Sequence, residues 1–185
     1  MTDRKIVSSL DITNWFFKKA ESQSLRLSEN KIQHLLFLTQ MHFILKNGNF
    51  LSPTLFVCDN KGFFDPTIRS ILSFGLPLMS KPHLSKTTDD FLELIWQKYG
   101  KQSDFELQNF VTSLKCYKQN CNINNETIIN PMNFVDSFAS SLNINTKFSA
   151  SAKTKILISQ NGPVRVSAWD PRKSSNSNKE NNNNA

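Results

Sequence analysis

The segment from Ser28 to Gly48 limits the fold more than any other part of the chain. Ile32, Leu35, Leu36, Met41, Phe43 and Ile44 recur at intervals near 3.6 residues, the period of an α-helix. Leu35-Leu36-Phe37-Leu38 adds apolar side chains on nearly every face. A helix that is apolar all round has to be enclosed by other elements. Ser28 supplies a capping hydroxyl at its start, and Asn47-Gly48-Asn49 supplies a stop in which glycine takes the left-handed conformation. The segment therefore predicts a central, buried helix.

Other helical signals surround it. Asp11 is the expected N-cap of a first helix carrying Ile12, Trp15 and Phe16. Asp65-Pro66 reads as an N-cap followed by proline at the first helical position, with Ile68, Ile71 and Leu72 behind it. Thr87 or Thr88 is the expected cap of a helix with Phe91, Leu92, Ile95 and Tyr99 on its stripe, ended by Gly100. Ser103-Asp104-Phe105-Glu106 is a capping box for a helix continuing through Leu107, Phe110, Val111 and Leu114. Asn130-Pro131 opens a last one, with Phe134, Val135, Phe138 and Leu142 inside. Leu55-Phe56-Val57-Cys58 followed by Asp59-Asn60-Lys61-Gly62 gives a short strand and a turn. The expected fold class is mainly α, a multi-helix single domain over residues 5–145 with a short β excursion near 55–64.

Composition changes beyond residue 145. Lys155–Ser159 and Val164–Trp169 are β-rich and flank Gln160-Asn161-Gly162-Pro163, a hairpin signal weakened by the proline. Residues 146–173 are thus expected as a C-terminal extension holding a hairpin. Residues 174–185 are Ser, Asn, Lys and Glu with no apolar side chain larger than alanine, and disorder is expected there.

Several function classes fall to simple counting. The five glycines stand at 48, 62, 75, 100 and 162, so no pair is close enough for a GxGxxG or Walker phosphate loop. The net charge of +7 admits an anionic partner, yet Lys147, Lys153, Lys155, Arg165, Arg172, Lys173 and Lys179 near the end face only Asp170 and Glu180. Tail solvation accounts for much of that excess. Cys58, Cys116 and Cys121 form no disulfide framework by count or spacing. Cys116 and Cys121, four residues apart, lack a second pair and any nearby histidine for zinc, so no metal or cofactor is expected. The N-terminus lacks the apolar core of a signal peptide, and the longest apolar run is far too short for a bilayer. The expectation is a reduced, soluble, cytoplasmic protein.

The order of these signals carries a resemblance. Leu10-Asp11-Ile12-Thr13-Asn14-Trp15-Phe16 leads into Lys31-Ile32-Gln33-His34-Leu35-Leu36-Phe37-Leu38-Thr39-Gln40, and Trp96-Gln97-Lys98-Tyr99-Gly100 follows later. This resembles the Panacea domain family of SocA-like, phage-associated antitoxins, over roughly residues 8–142. Lys31, Gln33, Leu35, Leu36 and Gln40 match that pattern directly. The sequence departs from it at Lys61–Pro66, where Gly62 alone is clearly retained, and at Thr112-Ser113, where the family has a Thr-His pair. The resemblance implies binding and no catalysis. It implies a toxin–antitoxin system in which a cognate toxin protein is neutralised by contact or delivered to a protease, the further partner being a protease or a chaperone.

Lys31, Gln33, Gln40, Gly62, Trp96 and Trp169 are the residues expected to bear on a partner. Lys31 and Gln33 stand about 200° apart on a helix, whereas Gln33 and Gln40, seven residues apart, share a face. Gln33 either bonds a neighbouring loop backbone or meets a partner, since a buried amide needs one of the two. Trp169 either anchors the hairpin or serves as an exposed hook. His34 and His42 lie about 80° apart and read as ordinary core histidines. Trp15-Phe16-Phe17-Lys18-Lys19 and Lys115–Lys118 around Tyr117 interleave aromatic and basic groups. They motivate the alternative of a basic nucleic-acid-binding regulator.

Overall fold

The computed structural model describes residues 7–75, 84–121, 125–144, 155–159 and 162–166. The chain divides into two units, residues 1–146 and 147–185.

In the first unit, α2 (Glu29–Asn47) is the central helix that the sequence predicts. Every residue from Lys31 to Met41 is buried, as is Ile44. Ser28 Oγ accepts the Lys31 backbone N–H at 3.1 Å, and Gly48 closes the helix at φ 68°. Around α2 pack α1 (Ser9–Ser22), α3 (Pro66–Ser73), α4 (Lys86–Ile95), α5 (Asp104–Ser113) and α7 (Val135–Ser141), together with strand β2 (Gly62–Phe64). The enclosure satisfies the apolar circumference that a lone helix could not. Phe37 shows how: its ring stacks on Phe63 at 3.8 Å between centroids and meets Phe56 edge-on at 5.5 Å.

β1 (Phe56–Asp59) is the middle strand of a three-stranded antiparallel sheet, with β2 on one side and β3 (Thr127–Ile129) on the other. Cys58 faces Phe63 across one ladder and Thr127 across the other. Among the described residues no strand pairs with the outer edge of β3. α6 (Lys115–Asn120) joins α5 to the segment that leads into β3.

The local chemistry corrects several expected boundaries. The first helix is capped by Ser8, with Asp11 at the third helical position completing a capping box. The fourth is capped by Ser85 instead of Thr87 or Thr88. It continues past Ile95 as a π-helical turn, Trp96–Gly100. The fifth helix breaks at Leu114, whose extended ψ of 141° separates α5 from α6. Asp65 and Pro66, the Ser103 capping box, and Asn130 ahead of a 3₁₀ turn (Pro131–Phe134) behave as expected.

One expectation is overturned. Cys58 and Cys121 are joined by a disulfide, and Cys116 keeps a free, buried thiol. Their 63-residue separation hides the pair in sequence. The fold brings them together because α6 delivers Cys121 back beside the middle strand.

In the second unit, β4 (Lys155–Ser159) and β5 (Gly162–Val166) pair antiparallel, with Ser159 opposite Gly162. This is the expected hairpin, with Pro163 inside the second strand. Trp169 and the Asn-rich tail lie outside the described residues.

Candidate partner-binding residues

The site residues expected from sequence, where described, stand inside the body. Lys31 is 6% exposed, Gln33 and Gln40 are 2%, Trp96 is 1%, and Gly62 is buried. Each is engaged by its own chain.

Gln33 forms the most specific of these contacts. Its Oε1 accepts the Asp65 backbone N–H at 2.8 Å, and its Nε2 donates to the Asp65 carbonyl at 3.4 Å. The side-chain amide thus reads the backbone of Asp65 as a neighbouring strand would. The clasp sets Asp65 in place to start α3, where Oδ1 accepts the N–H groups of Thr67 and Ile68 at 2.8 and 3.2 Å. Thr54 donates its hydroxyl to Asp65 Oδ2. Arg69, one turn into α3, reaches back to Asp59 Oδ2 at 2.9 Å and lies 3.2 Å over the Phe64 ring.

Gln40, two turns further along α2, accepts the Ser52 backbone N–H at 3.4 Å. Among the described residues its buried Nε2 has no hydrogen-bond partner. Lys31 Nζ donates to the Gln102 carbonyl at 2.6 Å. Burial lowers the pKa of that ammonium, and the carboxylates of Asp104 and Glu106 oppose the shift. Lys31, Gln33 and Gln40 therefore pin three separate loops to one helix: 101–103, 64–66 and 51–54.

Gly62 and Gly100 are held by close approach. A Cβ on Gly62, at φ 135°, would come within 2.6 Å of His34 Nε2. The same nitrogen donates to the Lys61 carbonyl at 3.0 Å, which fixes the proton on Nε2 and leaves Nδ1 a buried, unpartnered lone pair. Burial accordingly lowers the His34 pKa. A side chain on Gly100 would collide with the indole of Trp96, whose Nε1 donates to Gln23 Oε1 at 3.1 Å.

His42 does not join His34 in a common site. It shares a 2.8 Å hydrogen bond with the Tyr99 hydroxyl and stacks edge-on against Phe138. Burial, aided by the Lys98 charge, pulls its pKa down to about 4, and burial raises that of Tyr99.

The aromatic groups expected to stack on bases are also engaged internally. Phe16 is wholly buried, Trp15 donates its N–H to Asp89 at 2.6 Å, and Tyr117 donates its hydroxyl to the Asp59 carbonyl at 2.7 Å.

Sequence reasoning passed over the apolar side chains left outside. Phe74 is 88% exposed, Phe105 73% and Ile128 69%. Phe105 carried a signal: it sits inside the Ser103–Glu106 capping box, whose hydrogen bonds need nothing of that position. Among the described residues no group of three or more His, Cys, Asp or Glu side chains could hold a metal, and no helix is long and apolar enough to cross a membrane. Comparison with protein-family models gives no match, and comparison with curated proteins and with solved structures gives no significant similarity.

Proposed function

We propose that this protein is a non-catalytic binding module of the antitoxin type, which neutralises a cognate toxin protein in the cytoplasm by direct contact. One observation carries the reading: Phe74 and Phe105 are the most exposed of the large apolar side chains among the described residues, ahead of Ile128 and Leu94. Neither is needed where it stands. Phe74 ends α3 through its backbone N–H on the Leu72 carbonyl, and Phe105 occupies a capping box indifferent to its ring. Exposed aromatic side chains are favoured anchors at protein interfaces. Lys31, Gln33, Gln40, Gly62 and Trp96 then serve the partner at one remove, by holding the loops that shape the surface. The resemblance of Lys31–Gln40 and Trp96–Gly100 to the SocA-like pattern points the same way, and delivery of the bound toxin to a protease extends it.

The test is co-expression with the small toxic open reading frame expected next to the gene. The protein should relieve growth arrest and co-purify with the toxin. Phe74→Ser and Phe105→Ser should weaken capture by about tenfold or more while leaving the melting temperature unchanged. Unrelieved toxicity rejects the reading. The basic nucleic-acid regulator rests on the net charge of +7; it requires affinity that falls steeply with salt, and a flat response removes it.

A further inference from the structure

We propose that the Cys58–Cys121 bridge is a reversible redox tether, opened in the native protein by an external dithiol and closed again by exchange with an external disulfide. The inference goes beyond the binding role and does not depend on it.

Three features carry it. The two sulfurs differ in access: Cys58 is fully buried in the middle strand, whereas Cys121 is half-buried just past the end of α6. A thiolate therefore reaches the bridge at Cys121 without unfolding the sheet. Next, α6 has anchors that the bridge does not supply. Leu114 and Cys116 are buried, Tyr117 holds the Asp59 carbonyl, and the Lys115 N–H donates to Ser141 Oγ at 3.1 Å. Beyond them Lys118, Gln119 and Asn120 are exposed, so the last turn of α6 is covalently held by the bridge alone among these contacts. Opening it frees that turn while the inner turn stays seated. Finally, ladders on both sides fix Cys58, so its sulfur waits in position for reclosure.

The chemistry balances. One thiolate of the dithiol attacks Cys121 Sγ, the sulfur–sulfur bond breaks, and Cys58 leaves as a thiolate that takes a proton. The second thiolate of the dithiol displaces Cys121, which is protonated in turn. The bridge gains two electrons and two protons, and the dithiol becomes a disulfide; closure runs the same two exchanges in reverse, with an external disulfide taking the electrons and protons and leaving as two thiols. Cys116 does not scramble the pairing: burial pushes its thiol up to about 11, which keeps it protonated and a poor nucleophile.

Full-length protein purified without reductant provides the test. Denaturing alkylation should label Cys116 alone. After dithiothreitol in native buffer, it should label all three cysteines, and reoxidation with oxidised glutathione should restore the first pattern. Tryptic cleavage after Lys118 should rise about tenfold on reduction, while cleavage after Lys46 in α2 stays constant. Cys121→Ser should cleave at the reduced-form rate with or without dithiothreitol, and Cys116→Ala should keep the response. The proposal is overturned by labelling of three cysteines before reduction, by a bridge that resists dithiothreitol until denaturant is added, or by Lys118 cleavage that ignores reduction.

Discussion

The corner where α2 meets β2 and α3 and the rim formed by α6 and β3 are both small, yet they are held in opposite ways. The corner is fastened by side chains that bond backbone, Gln33 to Asp65 and Asp65 to the start of α3, and by the Arg69–Asp59 ion pair. Phe37, Phe56 and Phe63 fill its interior. The rim has one disulfide, a three-residue edge strand and a six-residue helix. Many modest, mutually oriented contacts hold the corner, and none of them depends on the redox state of the solution. In the rim a single covalent link ties down the last turn of α6, so that turn depends on the redox state of the solution.

The largest expected effect lies in the corner. Phe37→Ala removes a ring stacked within a closed aromatic cluster and should cost about 3–5 kcal/mol, read from urea denaturation. A loss below about 1 kcal/mol would mean that the corner collapses to fill the space, and the contrast with the rim would weaken. Gln33→Leu comes next. It leaves the Asp65 N–H and carbonyl buried without partners, at about 2–3 kcal/mol in the same assay. Gln33→Glu should retain part of that stability, because one oxygen still faces the Asp65 N–H.

The α2–Tyr99 flank supplies a pH test. Folding depresses the His42 pKa from 6.5 to about 4. Between those values the unfolded chain binds a proton that the folded chain does not. Stability is therefore full above about 6.5, falls as pH drops, and is lost through about 4. The contribution is about 2 kcal/mol once the part exposure of the ring is allowed for. His34, shifted in the same direction, steepens the decline. Urea midpoints at pH 7 and pH 4.5 should separate the wild type from His42→Leu, whose slope should be shallower. The smallest effect belongs to the rim: Ile128→Lys, at an exposed edge position, should change stability by less than about 0.5 kcal/mol.

The same contrast explains what the sequence made legible. Ser28, Gly48, Asp65-Pro66 and the Ser103 box act within a few residues of themselves, so their signals survive without a fold. The true caps Ser8 and Ser85 were hidden by rivals: Asp11 belongs to the Ser8 box as its third residue, and Thr87 and Thr88 crowd Ser85. Thr127–Ile129 is too short to display a period, and the turn at Leu114 sits inside an unbroken apolar pattern. The Cys58–Cys121 pair depends wholly on topology. Gln33 and Gln40 were visible as polar residues on an apolar helix, but that pattern is the same whether the amide meets a partner or a loop. What each amide bonds in the folded chain, Asp65 for Gln33 and Ser52 for Gln40, depends on where the fold brings those loops.

Native-state hydrogen exchange tests most directly whether α2 is the element on which the rest is built. The amides of Leu35 to Leu38 should exchange only through global unfolding, with a free energy equal to that from urea denaturation, while those of Lys118 to Asn120 exchange through a smaller local opening. Amides in the middle of α2 that exchange as fast as those at the end of α6 would contradict the account.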